Sequence, residues 1–226
     1  MMRVLALETS SRHGSVAVLE GDQLLGESSC DPGQRTAQSF APTIQRQLAA
    51  VGWSARDVQL VAVTIGPGSF TGLRIGVTAA KTFAYAVGAE VIGVGTLEVI
   101  ARQIPGDSQL ICSVLDAQRQ QVFAARFQQR EGALQAIGAP RIMDNDRWLS
   151  GLVAGTVVAG PGLRRLHPQL PTGVTAAEPQ TWTPRASTVG LLAGLEYRSG
   201  KRDDLWKLNP LYYRRSAAEE KLEAEE

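Results

Sequence analysis

The sequence predicts an α/β protein in which mixed sheets are covered by helices, and three observations support this fold class. First, a continuous apolar run over residues 60–65 ends at Gly66-Pro67-Gly68 and leads into a helical apolar pattern. This order is typical of a buried strand, a tight turn and a helix. Second, three short strands separated by polar turns precede this unit. Third, a similar order of elements restarts after Pro105-Gly106.

The first half of the chain is predicted to combine a three-stranded meander with alternating helices and strands. The first helix carries Phe40, Ile44 and Leu48 on one face, and Thr96 is expected to cap the last helix. In order, the predicted elements are strands over residues 3–7, 15–19 and 23–29, a helix ending at Val51, a strand over 60–65, a helix over 71–87, a strand over 90–94 and a helix over 96–101.

The second half repeats this order closely enough to predict an internal duplication. We place two lobes at residues 1–103 and 108–226. We do not expect the lobes to fold separately, because the C-terminal helix can pack back across the boundary. The predicted elements are strands over 110–115, 122–127 and 134–137, a helix over 144–149, a strand over 156–159 followed by Gly160-Pro161-Gly162, a short strand near Val174, a helix over 184–198 and a solvated acidic tail over 217–226.

The helix predicted over residues 71–87 is apolar nearly all round, with only a thin polar stripe of Arg74, Thr78 and Lys81. One row along it, at a spacing of four residues, has no side chain larger than a methyl group. A glycine inside a helix costs about 1 kcal/mol relative to alanine, so close approach of another backbone is expected to offset this cost. That backbone belongs either to the chain's own sheet or to a second helix from a partner. The row comprises Gly72, Gly76, Ala80, Ala84 and Gly88.

Composition and charge exclude several classes of function. The net charge of +1 gives the chain no overall positive electrostatic field, so the isolated chain is a poor candidate for binding nucleic acid. Cys30 and Cys112 are too few for a disulfide framework, and His13 and His167 form no pair at helical spacing, so we expect no metal or cofactor. Since no apolar run reaches membrane-spanning length and no secretory leader is evident, we expect a cytoplasmic protein.

Candidate functional residues occur where the first strand of each half ends. Glu8, Thr9 and Ser10 follow the first strand, and Asp116 follows its counterpart in the second half. If they faced one cleft, these groups could bind a metal-bound phosphate. A hydrogen-bonded polar turn is the simpler interpretation of Glu8-Thr9-Ser10, and we prefer it. The loop at Gly66 matches neither the Walker loop nor the dinucleotide fingerprint, so we favour a turn that needs glycine over an anion site.

Five segments of the chain resemble the TsaB (YeaZ) family, and the match runs in order along nearly the whole sequence. The second segment is highly specific to that family, and the other four are weaker. The segments are Leu5-Ala6-Leu7-Glu8-Thr9-Ser10, Gly66-Pro67-Gly68-Ser69-Phe70-Thr71-Gly72-Leu73-Arg74-Ile75-Gly76, Gly93-Val94-Gly95-Thr96-Leu97, Leu115-Asp116-Ala117 and Pro210-Leu211-Tyr212-Tyr213-Arg214.

This resemblance implies two related RNase H-like lobes of the actin/sugar-kinase/Hsp70 superfamily. It also implies a non-catalytic subunit that binds and supports the transferase TsaD in the threonylcarbamoyl modification of tRNA adenosine beside the anticodon. TsaE would be the ATPase of the larger complex, and tRNA would be reached only through that complex. The H-x-x-x-H metal motif of TsaD aligns with residues 35–39, which contain no histidine. Glu8 stands where the family more often has aspartate, which weakens an inherited role in phosphate binding.

Two classes of function therefore stand side by side, a structural subunit and an independent enzyme such as a nucleotide phosphotransferase or a peptidase. For the first class, the resemblance implies that two helices of the first lobe pair with TsaD, or with a second copy of TsaB when the chain is alone. A bulky charge in the small row, as in Gly76→Arg or Ala80→Glu, is expected to damage assembly most. The predicted interface residues are Phe40, Ile44, Leu48, Gly72, Gly76, Ala80, Phe83 and Ala84.

Overall fold

The structure, a computed structural model, describes residues 1–11, 14–30, 36–106, 108, 110–130 and 133–213. His13 and the acidic tail predicted over residues 217–226 lie outside this part of the chain. No helix in the described ranges is long and apolar enough to cross a membrane.

The first sheet is mixed, with the strand order β3-β2-β1-β4-β5. Strands β1, β2 and β3 form an antiparallel meander, and β4 and β5 extend the sheet from β1 in parallel. The sequence-based elements of this half are confirmed to within a residue or two at each end. The elements are β1 (Arg3–Glu8), β2 (Ser15–Glu20), β3 (Gln23–Ser29), α1 (Thr36–Ala50), β4 (Leu60–Gly66), α2 (Phe70–Val87), β5 (Glu90–Gly95) and α3 (Thr96–Arg102).

The second sheet has the strand order β11-β10-β6-β7-β8, and β9 pairs with β7 beside β8. Strand β9 was not predicted, because four residues between a proline and a helix carry too little period-2 pattern to be recognised. The elements are β6 (Leu110–Asp116), β7 (Gln121–Arg130), β8 (Ala133–Ala136), β9 (Arg141–Asp144), α4 (Asn145–Ser150), β10 (Thr156–Ala159), α5 (Leu163–Leu166), β11 (Thr175–Ala176) and α6 (Ala186–Arg198).

Both faces of the first sheet are buried, which is why its central strands are continuous apolar runs rather than alternating ones. Leu5 and Leu7 belong to the core beneath α1 and α2. Val4 and Ala6 point to the opposite face and form a second core with α6. The prediction of an α/β fold with mixed sheets covered by helices is therefore confirmed.

The first residues of α2 and α3 are capped differently. The Ser69 hydroxyl accepts a hydrogen bond from the backbone N–H of Gly72 at 3.2 Å, so Ser69 caps α2. Thr96 was predicted to cap α3, and this was wrong: Thr96 is the first helical residue and Gly95 holds the cap position. Strand β5 runs to Gly95, so α3 follows the strand directly.

The two halves diverge after their Gly-Pro-Gly turns. The first turn leads into α2, which has 18 residues, whereas the second leads into α5, which has 4. Helix α6 lies beyond the predicted boundary and nevertheless packs on the first sheet, where Gly190 lies against Leu19 and Ala6. The lobe limits at 1–103 and 108–226 stay a prediction.

Candidate functional site

The Glu8 carboxylate lies at the carboxyl end of β1, and it is fully buried. Its Oε1 atom accepts hydrogen bonds from the backbone N–H groups of Ser10, at 2.7 Å, and Ser11, at 3.3 Å, and from the Ser10 hydroxyl. Its Oε2 atom accepts from the Ser11 hydroxyl at 2.8 Å. Both oxygens are thus bound by the following turn, as in the hydrogen-bonded turn that we preferred. Phosphate binding by Glu8, Thr9 and Ser10 stays a prediction.

Burial raises the pKa of the Glu8 carboxyl, and the hydrogen bonds from Ser10 and Ser11 lower it only in part. The folded chain therefore holds a proton on Glu8 more tightly than the unfolded chain, in which the pKa is 4.5. For a carboxyl group whose pKa is raised by folding, the free energy of unfolding decreases as the pH rises from the unfolded-state pKa through the folded-state pKa.

The variant Glu8→Gln tests this pH dependence of the unfolding free energy. The amide keeps one oxygen for the two backbone N–H donors, and its NH₂ group can donate to the Ser11 hydroxyl, so the turn is preserved. We expect the melting temperature of the variant, relative to the unmodified chain, to increase as the pH is raised from about 4.5 to 8. Thermal unfolding followed by circular dichroism measures this, with Glu90→Gln, an exposed change at the start of β5, as the control. A relative melting temperature that falls with rising pH would contradict the prediction.

The Gly66-Pro67-Gly68 turn is enclosed by the chain's own backbone. On one side, the Ser69 N–H donates to the Ser10 carbonyl oxygen at 2.8 Å, and a Cβ atom at Gly68 would come within 2.7 Å of the Ser10 Cβ. On the other side, the Leu211 N–H donates to the Ile65 carbonyl oxygen at 2.7 Å. Gly66 has a φ of 120°, which strongly favours glycine. This geometry agrees with the turn hypothesis rather than with an open anion site.

The small row of α2 packs on the chain's own first strand. A Cβ atom at Gly72 would overlap the Thr9 carbonyl oxygen, and one at Gly76 would overlap the Thr9 hydroxyl. Ala80 and Ala84 are buried on the same side, in the core with Val61 and Val63. Of the two alternatives for the close backbone, the chain's own sheet is therefore correct. The interface assignment of Gly72, Gly76, Ala80 and Ala84 is corrected, because none of the four has surface left for a partner.

Two residues of the polar stripe of α2, Arg74 and Lys81, contact residues 203–213, which we call the C-terminal strap. The Lys81 ammonium group donates to the carbonyl oxygens of Trp206 and Leu208, both at 3.1 Å. The Arg74 Nε donates to the Tyr212 hydroxyl at 3.1 Å, and the Tyr212 ring lies 4.7 Å from the ring of Phe70. Sequence reasoning missed the strap. The signal was present, since its aromatic and leucine residues interrupt a polar stretch.

A largely apolar groove of about 900 Å³ runs between the remaining faces of α1 and α2. Ile44, Leu48 and Phe83, which were predicted interface residues, line it. Phe40 does not, because it is 2% exposed and belongs to the core beneath α1. Sequence reasoning missed the other main apolar lining residues, which are Trp53 after α1 and, on α2, Ile75, Ala79 and Ala86.

Asp116 occupies in the second sheet the place that Glu8 has in the first, at the carboxyl end of a strand that pairs in parallel with β10. Unlike Glu8 it is exposed. Its Oδ1 accepts from the Gln118 N–H at 2.8 Å, and its Oδ2 pairs with the Arg165 guanidinium at 3.3 Å. Over the described ranges, no group of three or more His, Cys, Asp or Glu residues is placed to hold a metal ion. A shared cleft for Glu8 and Asp116 stays a condition of the phosphotransferase alternative.

Comparison with known proteins adds family and structural relatives. Residues 33–195 match the family model described as TsaD, tRNA N6-adenosine threonylcarbamoyltransferase. The Escherichia coli protein TsaB, named for tRNA threonylcarbamoyladenosine biosynthesis, is 28% identical over 100% of both chains. The Bacillus subtilis protein of the same name is 31% identical, over 60% of this chain and 59% of its own length. The structure of YeaZ from Pseudomonas aeruginosa superposes with a TM-score of 0.79 at 25% identity, over 94% of this chain and 100% of that one.

Proposed function

Because this chain belongs to the TsaB (YeaZ) family, and so has a role in the biosynthesis of tRNA threonylcarbamoyladenosine, we propose that it acts there as a non-catalytic subunit that binds a TsaD-like transferase. The observation that carries this proposal is the groove between α1 and α2. The groove is a contiguous, largely apolar surface, and such surfaces mark sites of association.

The shape and chemistry of the groove suit a helical partner. Its walls are two neighbouring helices, and small lining side chains such as Ala79 and Ala86 permit close approach of a further helix. Arg74 stands at one end, where it is held by Tyr212. An apolar helix pair from the transferase would fill this space and form a bundle with α1 and α2. A second copy of the chain would use the same surface, so we propose a homodimer that the transferase displaces.

The non-catalytic part of the proposal is supported by what occupies the candidate site. Both oxygens of the Glu8 carboxylate are bound by Ser10 and Ser11, which leaves no open position aimed at a metal-bound phosphate. The Gly66 turn is closed on one side by Ser10 and on the other by Leu211. A nucleotide phosphate would have to displace these contacts. In this proposal the TsaD-like subunit performs the transfer, a TsaE-like ATPase joins the larger complex, tRNA is engaged through the assembly, and the assembly works in the cytoplasm.

Co-expression with the TsaD-like protein of the same organism tests this proposal. We expect the two chains to co-elute from a sizing column as one complex, and transfer activity to require both. The isolated chain should show no turnover of ATP or of a peptide. Failure of the two full-length proteins to associate at micromolar concentrations would contradict the partner role. Turnover by the isolated chain that disappears in Glu8→Gln or Asp116→Asn would contradict the non-catalytic role.

A further inference from the structure

One face of the second sheet is only half covered. Near α4, the side chains of Val122 and Ala124 on β7 pack beneath Trp148, in a core that also holds Leu163 of α5. Further along the same face of β7, the next side chains are Arg126, Gln128 and Arg130, of which both arginines are exposed. The uncovered half is therefore polar where the covered half is apolar.

Neighbouring strands add to this uncovered half. Gln135 of β8 pairs with Gln128, so its side chain points to the same face. Arg141 of β9 pairs with Ala124 and lies on the same face, next to Arg126. We call the set of Arg126, Gln128, Arg130, Gln135 and Arg141 the arginine face. Within the described ranges, no acidic side chain occupies this face of β7, β8 or β9.

The three arginines of this face are exposed and carry charge that no described carboxylate neutralises. Some other arginines of the chain are neutralised: Arg3, Arg185 and Arg198 each pair with an aspartate or a glutamate at 3.5 Å or less, whereas Arg56 and Arg102 have no described ion pair. Arg126 is held in place by a hydrogen bond of 2.6 Å from its Nη2 to the Gly151 carbonyl oxygen at the end of α4. A fixed guanidinium beside two free ones gives a local positive field on a chain of nearly zero net charge.

We propose that the arginine face binds the phosphate backbone of tRNA, an inference that rests on the proposed role in tRNA modification. Guanidinium groups bind phosphates in a bidentate manner, and the two glutamine amides supply donors for phosphate or 2′-hydroxyl oxygens. Arg126 and Arg130 lie about 13 Å apart along β7, so the face spans several nucleotides of a backbone. An acidic protein fits less well, since the centre of a protein interface is apolar and all five residues of the arginine face are polar.

The arginine face and the groove can be occupied together, because one lies on the second sheet and the other between the two helices that cover the first. The chain would then present tRNA to the transferase while it holds the transferase by the groove. The low net charge of +1 is consistent with weak RNA binding by the isolated chain and stronger binding by the assembly.

The test compares two double variants of the full-length chain that remove equal charge. Arg130→Gln/Arg141→Gln changes the arginine face and spares Arg126, whose hydrogen bond supports α4. Arg56→Gln/Arg102→Gln removes two exposed arginines elsewhere that have no described ion pair. Binding of fluorescently labelled tRNA is measured by anisotropy over a range of salt concentrations, with the isolated chain at low salt and with the transferase complex.

We expect the arginine-face variant to bind tRNA about five- to tenfold more weakly in both settings, with a salt slope reduced by about 1.5, as for the loss of two phosphate contacts. The control variant should match the unmodified chain. Unchanged binding in both settings, or no tRNA binding by the unmodified chain in either, would overturn the proposal. If the arginine-face variant lost binding to the transferase but kept binding to tRNA, the face would be a protein-binding surface, and this result would also overturn the proposal. If the isolated chain shows the expected tRNA effect but does not associate with the transferase, the partner role fails and the arginine face stands.

Discussion

A chain carrying Gly72→Ala is expected to lose about 2–4 kcal/mol of unfolding free energy. The added methyl group would overlap the Thr9 carbonyl oxygen, which is a backbone atom and cannot rotate away. Helix α2 would have to separate from the end of β1, and the Ser69 hydroxyl that caps the helix lies only 3.2 Å from the new methyl group. This strain outweighs the gain of about 1 kcal/mol that alanine normally brings to a helix.

Gly194→Ala in α6 is the matched control, because it is also a glycine-to-alanine change inside a helix. There a Cβ atom meets only the end of the Arg198 side chain, at 3.5 Å, so we expect a gain of up to about 1 kcal/mol. Urea denaturation followed by circular dichroism measures both free energies. Equal effects of the two changes would refute the close approach of α2 to Thr9. The same packing means that Gly76→Arg and Ala80→Glu would disrupt the fold before they affect assembly.

The second large effect is expected for Ala79→Glu, which should weaken binding to the TsaD-like transferase by 100-fold or more, about 2.8 kcal/mol. Ala79 lies on the wall of the groove and is partly exposed in the free chain, so a glutamate there points into water and the fold is retained. In the complex that glutamate would be buried against an apolar partner without a counter-charge, which costs several kcal/mol.

Leu195→Glu is the control for this experiment. Leu195 is 45% exposed on α6, and α6 covers the face of the first sheet opposite to α1 and α2. The Leu195→Glu variant introduces the same charge on a helix surface that we do not expect to contact the transferase. Isothermal titration calorimetry with the transferase gives both affinities, and circular dichroism verifies folding. If Ala79→Glu binds as tightly as Leu195→Glu, the groove is not the assembly surface.

The elements of the fold were predictable where burial on both faces requires a continuous run of apolar residues. Strand β4 was recognised because Val61 and Val63 face one core while Leu60 and Ala62 face the other, so every position had to be apolar. The Gly-Pro-Gly turn was equally clear, since a φ of 120° at Gly66 leaves few alternatives to glycine. In contrast, β9 has only four residues, which is too short to show the alternation of apolar and polar side chains that indicates a strand.

The candidate site was less predictable, because which face of α2 meets which neighbour is decided by elements far away in the chain. The small row showed that a backbone approaches closely, but not that it belongs to Thr9. The polar stripe did not indicate its partner, since Arg74 and Lys81 bind the C-terminal strap, which follows more than 120 residues later. Helix α2 therefore contacts the chain's own first strand and the strap, and its side with Ile75 and Ala79 lines the groove.

The cover of the first sheet by α6 also fixes the order in which a nascent chain can complete its structure. The first sheet ends at Gly95, whereas α6 begins at Ala186, after the whole of the second sheet has been made. At usual rates of translation the ribosome needs roughly 5–20 s to cross that interval. During this interval, α6 is not yet present to cover the surface formed by Val4, Ala6 and Leu19. The portion of the chain that is synthesised first is thus finished last, because its second core is completed only by α6.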